Sequence, residues 1–343
     1  MKILIDGRVL AHDHTSGVQR HAQEISKALQ KADHTIVTMI PKFKNRYYQQ
    51  IWEHTLLPFY ARKYDLLYCP SNIAPIYLPK RTKLAITLHD LAFLDFPKQY
   101  SFVFQKYYAF LVPKNIRRAQ YIITISNFSE ERIIREYPWV TKKISVVYHG
   151  ISSHFSPSDQ PKSNYILYVG TMNKIKNFQV LLEIFLSPGF KNIHLKMILP
   201  NASTFSNDEC INTLIKRSKE ANHIEIIDQL NQDELKNYYQ NAKLFVFPSF
   251  HESFGFPPLE AMACGTPVIV SNVTALPEVC GDAALYIDPN NTNDIKEKIL
   301  LLLKDKTLQE DIISKGCERV KYFTWGKAAK KHIHIFQKII GQP

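Results

Sequence analysis

The chain alternates short runs that are apolar throughout with longer stretches in which apolar residues recur every three to four positions. Residues 2–6 (KILID) form the first such run, and after Ser16-Gly17 the residues Val18, Ala22, Ile25 and Leu29 recur at helical spacing. Residues 65–69 (DLLYC), 84–90 (LAITLHD), 121–126 (YIITIS) and 144–150 (ISVVYHG) have the length and the branched or aromatic content of strands. Because they are continuously apolar rather than alternating, they predict a parallel sheet covered on both faces. Asn127 to Ser129 offers caps for a helical run through Ile133 and Ile134.

The rhythm breaks at residues 156–164 (SPSDQPKSN), where proline, serine and charge concentrate as in a linker. It resumes with YILYVG, a helix from about Asn177 that this residue could cap, HLKMILP, a helix before Asn222, HIEIID, a helix through Leu235 and LFVFPS. TPVIVS and ALYIDP add two strand candidates. Two successive α/β units of similar size predict two Rossmann-like domains with parallel sheets facing an interdomain cleft. The expected division is 1–157, 158–324 and a last helix, 325–343, that either caps the second domain or crosses back to the first. Strand ends and helix starts converge on such a cleft, which makes it the expected active site.

At 343 residues and 45% hydrophobic content the chain can bury more than one core. Its 43 basic against 31 acidic residues, a net +12, favour anionic partners without choosing among nucleotides, phospholipid headgroups and nucleic acid. The start lacks a basic leader and a long apolar stretch, and no run approaches the roughly 20 residues of a spanning helix, so a cytoplasmic protein with at most peripheral membrane contact is expected. Cys69, Cys210, Cys264, Cys280 and Cys317 have no metal-ligand spacing and read as reduced thiols.

Three segments carry candidate chemistry. In residues 247–271 a strand-like run ends at Pro248, a polar loop holds Glu252, Ser253, Phe254 and Gly255, Pro257-Pro258 can open a helix whose first turn includes Glu260, and Gly265 can close it. Carboxylates accept from the neighbouring hydroxyls of a sugar or ribose, and the Ser253–Gly255 turn with the helix start offers backbone N–H groups to a diphosphate. In residues 165–185 a strand ends at Gly170, and Lys174 and Lys176 stand at the mouth of a strand-loop-helix unit, where a lysine can neutralise charge on a leaving phosphate. In the first half, Asp6-Gly7-Arg8, Ser16-Gly17-Val18-Gln19-Arg20 and His89-Asp90 lie at strand ends or a helix start. Gly17 permits close backbone approach. His89 could donate to a sugar hydroxyl with Asp90 orienting its ring. Spacing alone leaves each of these open to a plain structural or solvated role.

Together the segments resemble the GT-B nucleotide-sugar glycosyltransferases of family 4, the glycosyl transferases group 1, over most of the chain. The strongest match is residues 252–268 (ESFGFPPLEAMACGTPV), continuing through Leu276-Pro-Glu278-Val279 and Gly281 to Leu285. The resemblance implies that Glu252 contacts the transferred sugar and Glu260 the ribose hydroxyls. Lys176, in YVGTMNKIKN, matches the phosphate-binding lysine, His89, in TLHDLAF, the first-domain histidine at the donor sugar, and Ser126, in TISNFS, a recurring element. Thr171 and Ile175 stand where many relatives carry an arginine, so the phosphate clamp would rest on Lys176, Lys174, the backbone around Gly255 and first-domain groups.

The resemblance further implies retention at the anomeric carbon, no tightly bound cofactor and a nucleotide diphosphate sugar as donor, GDP-mannose or a UDP-hexose, with mannose favoured by the likeness to mannosyltransferases. The chain has no Asp-x-Asp, the pair that holds a divalent ion in the other large glycosyltransferase fold, so metal independence is expected. The expected acceptor is a saccharide or lipid-linked saccharide of surface polysaccharide synthesis. Residues 101–118, which interleave aromatics with Lys106, Lys114, Arg117 and Arg118, and the cluster Lys42, Lys44 and Arg46 beside Tyr47 and Tyr48, suit either a core helix with solvated flanks or an anionic membrane surface. Two other classes stay open, a sugar-nucleotide epimerase of the same architecture and a non-enzymatic anion-binding protein. Nucleic acid is disfavoured, because paired carboxylates repel its backbone.

Overall fold

The computed structural model describes residues 1–11, 16–43, 45–200, 209–228 and 230–341, so Lys44 lies outside the described residues. Two compact units emerge, residues 1–150 with 323–343 and residues 151–322.

The first unit is built on β1 (Ile3–Asp6), α1 (Gly17–Ala32), β2 (Ile36–Met39), α2 (Arg46–Ala61), β3 (Leu66–Cys69), β4 (Lys83–Thr87), α3 (Ala92–Asp95), α4 (Phe102–Arg118), β5 (Tyr121–Thr124), α5 (Asn127–Glu136) and β6 (Ile144–Val146). Its six strands are parallel in the order β2-β1-β3-β4-β5-β6. Every residue of β1 and β3 is buried, which is why these segments read as unbroken apolar runs.

The second unit holds β7 (Tyr165–Val169), α6 (Phe178–Phe185), β8 (His194–Ile198), α7 (Glu209–Lys219), β9 (Ile224–Ile227), α8 (Gln232–Asn241), β10 (Leu244–Phe247), α9 (Phe256–Ala263), β11 (Val268–Ser271), α10 (Leu276–Cys280), β12 (Leu285–Ile287), α11 (Thr292–Lys304) and α12 (Lys306–Val320). Its sheet is again six-stranded and parallel, in the order β12-β11-β10-β7-β8-β9. The expected fold class, two Rossmann-like parallel-sheet domains, is therefore present.

The division falls at Gly150, seven residues before the expected boundary. The reason is packing: Phe155 is buried edge-on against Tyr239 of α8, and the Gln240 side chain donates to the Ser156 carbonyl at 2.7 Å, so 151–157 is part of the second unit. A final helix, α13 (Trp325–Gly341), crosses back to the first unit and packs along α1. It buries Ala328, Ala329, His332, Ile335, Phe336 and Ile339, the spacing of a single helical face.

Each sheet reverses its strand order once. In the first, the chain goes from β1 outward to β2 and then to β3 on the other side; in the second, β8 and β9 lie on one side of β7 and β10 on the other. Ligands of open α/β sheets bind beyond the carboxyl ends of the strands at such a reversal.

Candidate functional site

The reversal in the second unit lies between β7 and β10, and the loops leaving these two strands carry Lys176 and Glu252. After β7, the Asn173 side chain accepts the Ile175 N–H at 2.9 Å and the Lys176 N–H reaches the Asn173 carbonyl at 2.9 Å, closing a single 3-10 turn over Lys174–Lys176. Asn177 occupies the residue before α6 in a left-handed conformation and does not cap it; its amide donates to the Pro289 carbonyl at 2.9 Å instead. Lys176 thus rides on a turn fixed at both ends.

The loop after β10 is stitched to that turn. The Phe250 N–H donates to the Ile175 carbonyl at 2.8 Å, and the Ser249 hydroxyl donates to the same oxygen at 3.1 Å. Glu252 is held by its backbone: its N–H donates to the Thr274 hydroxyl at 3.0 Å and its carbonyl accepts the Ala275 N–H at 3.2 Å. Gly255 then takes φ +109° ahead of α9, a conformation that calls for glycine.

These supports bring the Lys176 ammonium to 2.7 Å from Glu252 Oε1, with the side chains 26% and 10% exposed. Tyr168 lies beneath, donating to the Lys176 carbonyl at 3.4 Å. Burial, reinforced by the Glu252 carboxylate, pushes its hydroxyl well above the usual phenol value, so Tyr168 stays a neutral donor. Glu260, in the second turn of α9 rather than the first, is buried and accepts the Tyr239 hydroxyl at 3.0 Å. Phe254 turns inward onto the Phe256 ring, leaving its backbone as its outward contribution, while Thr171 and Lys174 are exposed on the Lys176 loop.

His89 and Gly17 belong to the first unit. Gly17 is the exposed first residue of α1, behind a capping box formed by Ser16 and Gln19. His89 follows β4 and is buried; its Nε2–H donates to the Pro70 carbonyl at 2.9 Å and its backbone N–H to Asn72 Oδ1 at 2.7 Å. The sequence expectation is a His89 that donates to a ligand with Asp90 orienting its ring. Asp90 Oδ1 accepts the Ala92 N–H at 3.0 Å, and the Pro70 carbonyl, which can only accept, claims the single proton of the neutral imidazole.

Around His89 stand three more buried imidazoles. His21 meets it edge-on at 4.8 Å between ring centroids, and His21 Nδ1 lies 2.9 Å from His149 Nδ1. His332 of α13 donates from Nδ1 to the Ala328 carbonyl at 2.8 Å, so its Nε2 accepts the Tyr68 hydroxyl at 3.0 Å. Burial lowers all four histidines, His332 to about 4, and keeps them neutral. Ser126 is the buried N-cap of α5, its hydroxyl accepting the Ser129 N–H at 3.1 Å. Arg8 turns into the interior, with Nε 2.9 Å from Glu53 Oε2 but off the line of a hydrogen bond, an ion contact rather than a directed bond.

Residues 15–155 match the family described as Glycosyltransferase Family 4, and residues 152–319 match Glycosyl transferases group 1. The chain is 32% identical over 287 residues to O-antigen chain mannosyltransferase B of Escherichia coli, covering 80% of this chain and 74% of that protein. The chain belongs to these group 1, family 4 enzymes. It is a GT-B glycosyltransferase. A second relative, O-antigen chain mannosyltransferase RfbU of Salmonella typhimurium, is 28% identical over 214 residues, covering 62% of this chain and 59% of the relative. A sucrose-phosphate synthase structure from Thermosynechococcus elongatus superposes over 100% of both chains with a TM-score of 0.78 at 18% identity, a likeness of fold.

Of the residues the sequence singled out, the structure joins Lys176 and Glu252 directly and places Thr171, Lys174, Ser253, Phe254, Gly255 and Glu260 on the same pair of loops or the helix that follows. Three residues the sequence reading missed hold these side chains in place: Thr274 bonds the Glu252 backbone, Tyr239 the Glu260 carboxylate and Asn72 the His89 backbone. Their only advance signal is the polar Thr274 just before the Leu276-Pro-Glu segment. Among the described residues no group of three or more His, Cys, Asp or Glu could hold a metal ion.

Proposed function

We propose that this glycosyltransferase moves mannose from GDP-mannose to a growing saccharide with retention at the anomeric carbon. The Lys176–Glu252 pair at the β7/β10 reversal carries the reading, because a cation beside a carboxylate meets the two chemistries of an activated sugar, phosphate and hydroxyl. Lys176 takes up the charge that grows on the departing diphosphate as the anomeric C–O bond breaks. Glu252 accepts from hydroxyls of the sugar, and Glu260, whose carboxylate has lone pairs for more than one donor, accepts from the ribose as well as from Tyr239. N–H groups of the Ser253–Gly255 turn and Lys174 complete the clamp in the absence of arginine at Thr171 and Ile175. His89 of the first unit, its one proton given to Pro70, keeps Nδ1 as an acceptor for a hydroxyl. The acceptor hydroxyl bonds to the anomeric carbon on the face the phosphate leaves, and a phosphate oxygen takes its proton. Mannose is supported by the names of the two bacterial relatives.

The acceptor we propose is lipid-linked, met at an anionic membrane surface by the first unit. That unit has 26 basic against 11 acidic residues, a net +15, whereas the second has 17 against 20, a net −3. Of the large apolar side chains exposed among the described residues, sixteen lie in the first unit and three in the second. Lys114 sits 3.5 Å over the Phe110 ring and Arg62 3.7 Å over Phe59, pairing rings for the interface with cations for headgroups. Arg118 is spent internally on the Pro75 and Ile76 carbonyls. No helix among the described residues is long and apolar enough to cross a membrane.

The test is donor hydrolysis and transfer by the purified chain across GDP-mannose and the common UDP-hexoses, with and without chelator, beside Glu252→Ala and Lys176→Ala. Turnover of GDP-mannose alone, unchanged by chelator and lost in both variants, is the expected result. Turnover of a UDP-hexose instead would overturn the donor, and conversion of a nucleotide sugar to its epimer without an acceptor would overturn the class.

A further inference from the structure

We propose that Glu252 acts as a product-release device: it competes with the nucleoside diphosphate for Lys176, and only the sugar of the intact donor relieves that competition. The proposal rests on the donor-site reading above. The Lys176 ammonium is satisfied by Glu252 Oε1 at 2.7 Å, and both side chains sit largely out of solvent, where screening is weak. A phosphate oxygen that takes another of the three tetrahedral protons on Nζ comes within about 4.5 Å of that carboxylate. Glu252 must then either share Lys176 against the repulsion of a like charge or give it up.

What happens next depends on the ligand. An intact donor brings sugar hydroxyls, which donate to Glu252 and replace the ammonium as its partner. A bare diphosphate brings none, so the carboxylate stays buried beside it without compensation. The Glu252 backbone is tied on both sides to Thr274 and Ala275, so the carboxylate can withdraw only by rotating a side chain that is 10% exposed. The same residue therefore supports the donor and disfavours the product, and once the sugar has gone Glu252 reclaims Lys176 as the diphosphate leaves. An apparent affinity is reduced by the fraction of sites in which the binding group is otherwise engaged.

The experiment is equilibrium binding of GDP and UDP, with no sugar attached, to the full chain as wild type, Glu252→Gln, Lys176→Ala and the double variant. Glu252→Gln keeps size and hydrogen bonding while removing the charge, and is expected to bind diphosphate about 5- to 10-fold more tightly while transfer falls. The KM for the nucleotide sugar should not improve in parallel, and the double variant should lose the gain. Glu252→Asp, which retains the charge, should show no gain, and Tm values establish that each variant is folded. Unchanged or weaker diphosphate binding in folded Glu252→Gln, with Lys176→Ala still weakening it, overturns the device and leaves the donor site standing. Wild-type diphosphate affinity in Lys176→Ala overturns both, by a separate signature.

Discussion

The two units solve the problem of polar groups in a protein interior in opposite ways. In the second, Lys176 and Glu252 keep their charges and neutralise each other at 2.7 Å on loops that remain partly open. In the first, His21, His89, His149 and His332 are buried within a few ångströms of one another and keep no charge at all. The difference suits the tasks proposed for them: a group meant to meet a diphosphate needs its charge at hand, whereas a histidine meant to read a hydroxyl needs a fixed tautomer. Among the described residues the first unit also holds ion contacts, Arg132–Asp95 at 2.6 Å and the buried Arg8–Glu53 contact with Asp6 beside it, and the comparison can be tested from the second of these downward.

Arg8→Ala takes the cation away from the buried Glu53 and Asp6 carboxyls, which costs about 3–5 kcal/mol. A large drop in the first unit's melting temperature is expected, and a drop below about 1 kcal/mol would show that the contact is not structural. Lys176→Ala removes the cation proposed to face the leaving phosphate and should lower kcat by about 10²–10³-fold, or roughly 3–4 kcal/mol, with little change in melting temperature. Equal loss of folding and activity would erase the contrast between a functional pair in one unit and structural groups in the other.

Acid should act on the histidine unit. Burial holds the four histidines below the 6.5 of an unfolded chain, so from pH 6.5 down to about 4 the unfolded state binds more protons and stability falls as pH falls. Asp6 opposes this. Its burial and the neighbouring Glu53 push its carboxyl up to about 8, so it adds stability as pH falls from 8. Four groups against one leave a net loss of order 2 kcal/mol per pH unit between pH 6.5 and 5.5 and a stability maximum near pH 7. Thermal melts across pH 5 to 8 check this, and a curve rising monotonically toward acid would refute the neutral cluster. The smallest effect belongs to Thr274→Val, which removes the acceptor for the Glu252 N–H and should cost about 1 kcal/mol, seen as a few-fold rise in donor KM with kcat nearly unchanged.

Much of the fold was legible because buried parallel strands are apolar on both faces, as in β1, β3, β7 and β10. What escaped was what breaks that rule. β2 is an edge strand with only Ile36 fully buried, and α2 buries Gln49, Glu53 and Pro58 on its inner face, so neither gives a clean period. In the site, the Glu252–Glu260 segment and Lys176 were legible from their residue pattern, while Thr274, Tyr239 and Asn72 were not, since they act through single hydrogen bonds made across the fold.

By itself, then, the order of residues determined the two α/β units, the family, and the loops proposed to carry the chemistry, because hydrophobic period and motif spacing are local properties of the chain. Tertiary structure alone decided that α13 returns to the first unit, that Lys176 meets Glu252 from a residue 76 positions away, and that four histidines share one neutral interior. Those outcomes depend on packing and on proton positions that no short stretch of sequence encodes, since each is set by partners brought together only when the sheets close.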